Sequence, residues 1–470
     1  MLPTACARRA RRRGRQAPST RWHTQGESAN AQPSQRLALR QPECQYDPVD
    51  LLAAKLLTSP DGLALLATVL RSQLADRPVD PLAQAAALRG LGHPAPLVAV
   101  VLTQARLLTR LRQRWGDVPE GLLVTPDGAE QATRPVVANH RAARYQHALQ
   151  GAATPDGVVE VIDLCSGIGL DALAFAQVGL SVDAFDIDAA TVLIARHNAD
   201  VLGLDRLIRF HEKDVQSLPP AELRTGAIFA DPSRRSGPRR ISDPESWSPP
   251  LSWVLSLRAP NVGVKVAPGI DRDRLPSTTE FEVVSVGGTV VEGGLYRGDL
   301  QTHADGQPVR RRATVFAGEA SVPETITDAD LLDEAPPVGR VGEFLHEPDG
   351  AVIRAGLVGV VVQRLAGRLV DHRIAYITND NPVRSPLVTS YRVVDVQRFN
   401  LKKLRTSLHA RGVGSVTIKK RGFAMTPEEL RSALRLRKKD TGQATLVLTR
   451  IGDVPTVIEV ESPDKQGSVS

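Results

Sequence analysis

VIDLCSGIGLDALAFAQVGLSVDAFDIDAATVLIARHNADVLGL, residues 161–204, is the stretch on which the reading of this chain turns. A β-branched run ends at Asp163, a turn carries Gly167 and Gly169, a helix starts near Asp171, and a second strand ends in acid at Asp186. Glycines at such a turn let the backbone approach a nucleoside where a Cβ would collide. A carboxylate about twenty residues downstream accepts hydrogen bonds from both ribose hydroxyls. The spacing predicts a nucleoside site at the carboxyl ends of parallel strands.

Working outward, VVEVIDL, VDAFDI, AIFADP, NVGVKVAP, FEVVSVGG and ATVFAG, between about 158 and 316, read as strands, several of them apolar on both faces. Such strands belong in a sheet covered on both sides, and their alternation with helical stretches predicts a doubly wound, Rossmann-like α/β domain over 148–320. EFEVVSVGGTVVEG reads as an antiparallel closing hairpin around Gly287 and Gly288. Apolar residues at helical spacing before it predict an N-terminal helical module over 46–147. Residues 321–345, rich in proline and acid, read as a linker, and 346–462 as a separate α+β domain. Within that domain TPEELRSALRLRKK opens with a Thr426/Glu429 capping box.

The 470 residues are 42% hydrophobic and 24% charged, enough for several cores. No apolar run reaches the ~20 residues of a membrane helix, and Cys6, Cys44 and Cys165 form neither a CxxC pair nor a zinc set. The expectation is a soluble, cytoplasmic protein without membrane, disulfide or metal chemistry. Residues 1–43 hold nine arginines and two glutamates, which accounts for the whole net charge of +7. That tail, to about residue 45, lacks apolar periodicity and is expected to be disordered. Residues 384–440 carry 15 Lys and Arg against 4 Asp and Glu, a basic patch of the kind that meets nucleic acid.

Spacing alone leaves two ligand classes open, a dinucleotide and S-adenosylmethionine, because Ala172, three after Gly169, suits the dinucleotide pattern too. Asp163 before the turn shifts the balance, since an acid suits a methionine amino group and opposes a pyrophosphate. Asp163-Leu-Cys-Ser-Gly167-Ile-Gly169 resembles motif I of the class I S-adenosylmethionine-dependent methyltransferases. Phe-Asp186-Ile-Asp188 with IARHNADVLGL resembles the second-strand motif of RNA-modifying members, notably the trimethylguanosine synthase group. The resemblance implies that Asp163, Gly167 and Gly169 line the methionine end of the cofactor, that Asp186 holds the ribose, and that Asp214 contacts the adenine amine. Cys165 stands where many members have glycine and reads as a small buried residue, Asp188 as a helix cap.

AIFADPSRR carries Asp231-Pro232-Ser233-Arg234 where methyltransferases acting on an exocyclic amine resemble one another in [DN]-P-P-aromatic. Asp231 and Pro232 are therefore the catalytic candidates. Ser233 and Arg234 depart from the pattern; Arg234 is able to stack a guanidinium on a base, and Trp247 is a second stacking candidate. Arg234, Arg235, Arg239 and Arg240 form a basic loop expected to guide a phosphodiester backbone. Gln131, Thr133, Arg134 and Lys265 are further candidates for the site wall.

The C-terminal region is similar to THUMP-like domains, with Lys419, Lys420 and Arg421 of SVTIKKRG as RNA contacts. The resemblance implies a methyltransferase acting on a base of structured RNA, tRNA favoured over rRNA. Two alternatives stay open: a catalytically inactive RNA-binding scaffold, and a methyltransferase for a small molecule or protein.

Overall fold

The computed structural model describes residues 48–73, 80–116, 118–150, 160–219, 222–223, 225–236, 239–437 and 439–461. The basic tail over 1–45 lies outside them. Six helices come first: α1 (Pro48–Thr58), α2 (Pro60–Gln73), α3 (Pro81–Gly90), α4 (Ala95–Trp115), α5 (Pro126–Gln131) and α6 (Pro135–Leu149). Each has proline at its first position, which sets the local φ for a helix start except α4, where Pro96 is second. Side-chain caps add to this at α3, where Asp80 accepts from Leu82 and Ala83 N–H, and at α5, where Thr125 accepts from Gly128 N–H.

Counting strands of four or more residues, the next stretch holds β1 (Val161–Leu164), β2 (Val182–Asp186), β3 (Ile208–Glu212), β4 (Ala227–Ala230), β5 (Asn261–Val266), β6 (Glu280–Val286), β7 (Thr289–Arg297), β8 (Arg311–Phe316) and β9 (Glu324–Thr327), with helices α7 (Leu170–Gln177), α8 (Ala189–Val201) and α9 (Leu251–Ser256). The nine strands form one sheet in the order β9-β8-β6-β7-β5-β4-β1-β2-β3. Strands β1 to β5 run parallel, and β7 is wedged antiparallel between β5 and β6. The β6–β7 hairpin turns at Gly287 and Gly288, as the sequence predicts. Every residue of β1, β4 and β5 is buried, which explains why these strands read as apolar on both faces. One face packs α6, α7 and part of α8; the other packs α9 and two later helices.

The C-terminal part holds β10 (Phe344–Pro348), α10 (Gly350–Ala355), α11 (Val358–Arg364), β11 (Arg368–Asp371), β12 (Ile374–Asn379), β13 (Val388–Arg398), α12 (Leu401–Ala410), β14 (Val413–Lys420), α13 (Pro427–Leu434), β15 (Gly442–Ile451) and β16 (Val454–Glu461). Its seven strands order as β11-β12-β10-β13-β16-β15-β14, antiparallel except for β14 beside β15. The Thr426/Glu429 capping box is formed, with Glu429 accepting from Thr426 N–H at 2.7 Å.

Three boundaries differ from the expectation. Residues 321–345 are not a bare linker: β9 extends the first sheet beyond β8, and Phe344 already starts β10. The C-terminal part has apolar clusters of its own, around Leu404, Leu430 and Leu446 and around Tyr376, Tyr391 and Ile458, but α10 and α11 belong to the core of the first sheet. Ala351, Val352, Val358, Val361 and Val362 of α10 and α11 share one apolar cluster with Ile228, Val264 and Val315 of the first sheet, leaving Arg354 and Arg364 exposed. Finally, α6 packs on the first sheet rather than with the helical module: Ala138, Ala142 and Tyr145 join Phe175 and Phe229, and Tyr145 Oη donates to the Ile228 carbonyl at 2.9 Å.

Helix α6 also drives Arg141, 1% exposed, into the interior, where its guanidinium pairs with Asp171 of α7 and Glu292 of β7 and lies 4.5 Å from the centre of the Phe229 ring. Burial alone would lower its pKa, but the two carboxylates raise it well above the usual value. Breaking such a pair from one side strands the opposite charges. Arg141→Met is expected to cost about 3–5 kcal/mol, read as a lower urea midpoint, and Arg141→Met with Asp171→Asn and Glu292→Gln to recover part of it; a midpoint unchanged in the single variant would contradict this assignment.

Candidate functional site

The carboxyl ends of β1, β2, β4 and β5 bring Asp163, Asp186, Asp231 and Lys265 to one edge of the sheet. Asp163 is completely buried, and neither of its carboxylate oxygens has a hydrogen-bond partner among the described residues. Burial, then the carboxylates of Asp171 and Asp231, push its pKa well above the ordinary range. The Ser166 hydroxyl, which the sequence reading passed over, is likewise buried without a partner. Buried polar groups in folded proteins are nearly always satisfied, so two adjacent exceptions mark a place where something else binds.

The turn between them needs residues that tolerate positive φ. Gly167 sits at φ +57°, and a Cβ on it would meet nothing within 4 Å. Its N–H donates to Asp186 Oδ2 at 2.9 Å, while Asp186 Oδ1 accepts from Asp188 N–H at 3.0 Å. Burial raises the Asp186 pKa, and these N–H bonds draw it back. Gly169, expected to line the ligand, sits at φ +85° and is closely packed: a Cβ on it would lie 3.2 Å from the Phe210 ring and 3.3 Å from Ala195. Cys165 adopts φ +62°, the backbone conformation for which glycine is the usual residue. It is half-buried rather than fully so, and burial followed by the Asp186 and Asp231 carboxylates pushes its thiol pKa well up. Asp188 caps α8 through Ala190 N–H. Asp214 is exposed and accepts from Gln216 N–H at 2.9 Å, so it caps a turn whatever else it touches. Asn198, missed in the sequence, is wholly buried and fastens the turn to the helical module, donating to the carbonyls of Ile168 and Leu123 and accepting from Leu123 N–H.

Asp231, just past β4, accepts from Lys265 Nζ at 2.7 Å. Lys265 is 4% exposed and also donates to Thr133 Oγ1 at 2.9 Å and to the Gln131 carbonyl. Thr133 in turn donates to Asp171, which pairs with Arg141. One chain of contacts therefore runs Asp231–Lys265–Thr133–Asp171–Arg141–Glu292. Burial would lower the Lys265 pKa, but Asp231, Glu292 and Asp171 together hold it above the usual value. Pro232 is buried beside Asp231. Trp247 is not available for stacking: it is 2% exposed in the core, with Nε1 donating to the Ile241 carbonyl at 3.1 Å.

The wall candidates Gln131, Thr133, Arg134 and Lys265 come together, joined by Arg234 and by Arg114 of α4, around a cavity of about 330 Å³. Past Arg234, Arg235–Ser236 pairs antiparallel with Arg239–Arg240; the side chains of these arginines lie outside the described residues. In the C-terminal sheet Lys419 and Arg421 both reach Glu347, at 2.6 and 3.2 Å, and lie over the Tyr391 and Tyr376 rings. These two expected RNA contacts tie the curled sheet across from β14 to β10, leaving Lys420 exposed.

Comparison with known proteins agrees with this geometry. The model of the RNA cap guanine-N2 methyltransferase family matches residues 158–238, and that of the THUMP domain-like family matches residues 388–462. An uncharacterized S-adenosylmethionine-dependent methyltransferase of Mycobacterium tuberculosis is 34% identical over 368 residues, 77% of this chain and 94% of its own length. A Porphyromonas gingivalis W83 protein whose crystal structure is described as that of a methyltransferase superposes with a TM-score of 0.62 over 88% of this chain and 98% of its own, at 19% identity, which speaks to the fold. A glycine turn at the end of β1, an acid at the end of β2, Asp231 at the end of β4 and a relative of this identity over most of both lengths lead to one conclusion: the chain belongs to the S-adenosylmethionine-dependent methyltransferases.

Proposed function

We propose that this methyltransferase acts on RNA, placing a methyl group on a base of a structured RNA, with tRNA the favoured class. The observation that carries the reading is the joining, in one chain, of a segment matching the RNA cap guanine-N2 methyltransferase family to one matching the THUMP domain-like family. The basic surface supports it. Lys402 and Lys403 stand exposed in the first turn of α12, which holds no acidic residue. Cations are disfavoured at that end of a helix, and a phosphate bound there offsets the cost.

The residues present fit the cofactor. The unpartnered Asp163 carboxylate and Ser166 hydroxyl, with open space over Gly167, suit a ligand that brings an ammonium and further donors to the turn. Asp163 is assigned to the amino group, Asp186 to the ribose and Asp214, by its exposure, to the adenine. S-adenosylmethionine supplies an electrophilic methyl group when bound. The chain's own contribution is placement. Asp231, with one oxygen taken by Lys265, offers the other to the acceptor amine, orients its lone pair and receives its proton. Lys265 acts through Asp231 as a positioning residue, and its full set of acceptors fixes the carboxylate at the strand end.

Purified protein incubated with methyl-labelled S-adenosylmethionine and total RNA from cells lacking it is expected to place label in a single methylated nucleoside, read by mass spectrometry after size separation. Label found only in protein or small molecules, or in nothing, would overturn the RNA reading. Asp231→Ala is expected to lower turnover by about 10²–10⁴-fold and Lys265→Met by about 10²-fold, both with calorimetric cofactor affinity nearly intact, whereas Asp186→Ala weakens that affinity. Equal cofactor affinity in Asp186→Ala and wild type would remove Asp186 from the site.

A further inference from the structure

The cavity beside Lys265 is lined by two kinds of side chain. Ile241, Pro268 and Val290 are apolar, and Arg114, Arg134, Arg234 and Lys265 set four cations against the carboxylates of Glu130 and Glu292. Not all of this charge is spoken for. Lys265 is held by Asp231, Glu292 by Arg141, and Arg134 by Glu319 at 2.5 Å. Arg114 donates to the Ala129 carbonyl, and burial, then the neighbouring Arg134 guanidinium, lower its pKa against the opposing pull of Glu130 and Glu319. The guanidinium of Arg234, a partly buried residue whose carbonyl accepts from Ile241 N–H at 2.8 Å, has no hydrogen-bond or ion-pair partner among the described residues. No aromatic side chain is among the lining residues.

A volume of about 330 Å³ falls at the lower end of the ~300–1,000 Å³ typical of small-molecule sites. A lining that combines apolar side chains with an excess of guanidinium groups matches a ligand that carries both a flat apolar part and an anionic part. Guanidinium forks recognise phosphate oxygens in pairs and also stack on bases, which replaces the missing aromatic ring. Lys265 belongs both to this wall and to Asp231, so the cavity adjoins the carboxylate assigned to the acceptor amine.

We propose that this cavity is a subsite for the nucleotide being methylated, its base against the apolar lining and its phosphate held by Arg234 with Arg114; the identity of this ligand rests on the RNA reading above. The helical module, through Arg114 at the end of α4, is then part of the substrate site rather than a mere cover for the sheet. The arrangement also accounts for the departure at Arg234, which replaces an aromatic platform with a residue that both stacks and binds phosphate.

The test is calorimetry on the full-length protein loaded with S-adenosylhomocysteine, using guanosine and adenosine monophosphates, their unphosphorylated nucleosides and inorganic phosphate as probes. At least one monophosphate is expected to bind about tenfold more tightly than its nucleoside and than inorganic phosphate. Arg234→Ala is expected to erase that advantage and Arg234→Lys to retain part of it. Three results would overturn the subsite: phosphate binding as tightly as the nucleotides, monophosphates with no advantage over nucleosides (including no binding of either), or an advantage untouched in Arg234→Ala. Failure of the RNA reading shows separately, as absence of label from RNA in the wild-type protein.

Discussion

A guanidinium and an ammonium buried under the sheet edge, Arg141 and Lys265, are what the site depends on. Charges withdrawn from water must be paired, and satisfying these two recruits Asp171 of α7, Glu292 of β7, Thr133 from the α5–α6 connection and Asp231 just past β4. The chain of contacts fixes the lateral position of α6 and α7 over β5 and β7, and it ends on the carboxylate at the tip of β4. Catalytic placement and fold stability therefore share the same bonds. A side chain far from the reacting atoms, such as Arg141, is coupled to Asp231 through contacts that are each buried or nearly so.

The site is closed from outside by parts that do not belong to the parallel sheet. The helical module reaches the glycine turn through Asn198, whose amide bonds both sides of the junction, while Ile168, Ala190 and Ile194 join the module's apolar cluster. On the opposite face α10 and α11 carry the same core into the C-terminal sheet. The basic helix α12 packs on that C-terminal sheet through a cluster of its own, with Leu404 and Leu408 against Val413, Leu446 and Leu448.

How much of this was legible depended on sequence separation. Residues 161–204 contain a complete strand, turn, helix and strand, so Asp163, Gly167 and Asp186 could be placed from local pattern alone. The hairpin at Gly287 and Gly288 and the Thr426 capping box are local in the same sense. The partners of Asp231 and Arg141 are not: Lys265 is 34 residues from Asp231, and Glu292 is 151 residues from Arg141. No periodicity encodes such pairs. Lys419 and Arg421 looked like surface cations for the same reason, since Glu347, which claims both, lies 72 and 74 residues away. Gly169 needs to lack a side chain twice over, for its φ of +85° and for the Phe210 ring beside it, and only the first of these is a local matter. Ser166 carried no signal beyond its place in the turn; only the absence of a partner in the folded state marks it.

The central claim is that the vacant hydrogen-bonding capacity of Asp163 and Ser166 is reserved for the cofactor. A crystal structure of the protein with S-adenosylhomocysteine tests it most directly. The account predicts the ligand's amino group within hydrogen-bond distance of the Asp163 carboxylate, its ribose hydroxyls on Asp186 and its chain passing over Gly167. A ligand bound with Asp163 still unpartnered and Asp186 out of reach of the ribose would contradict it.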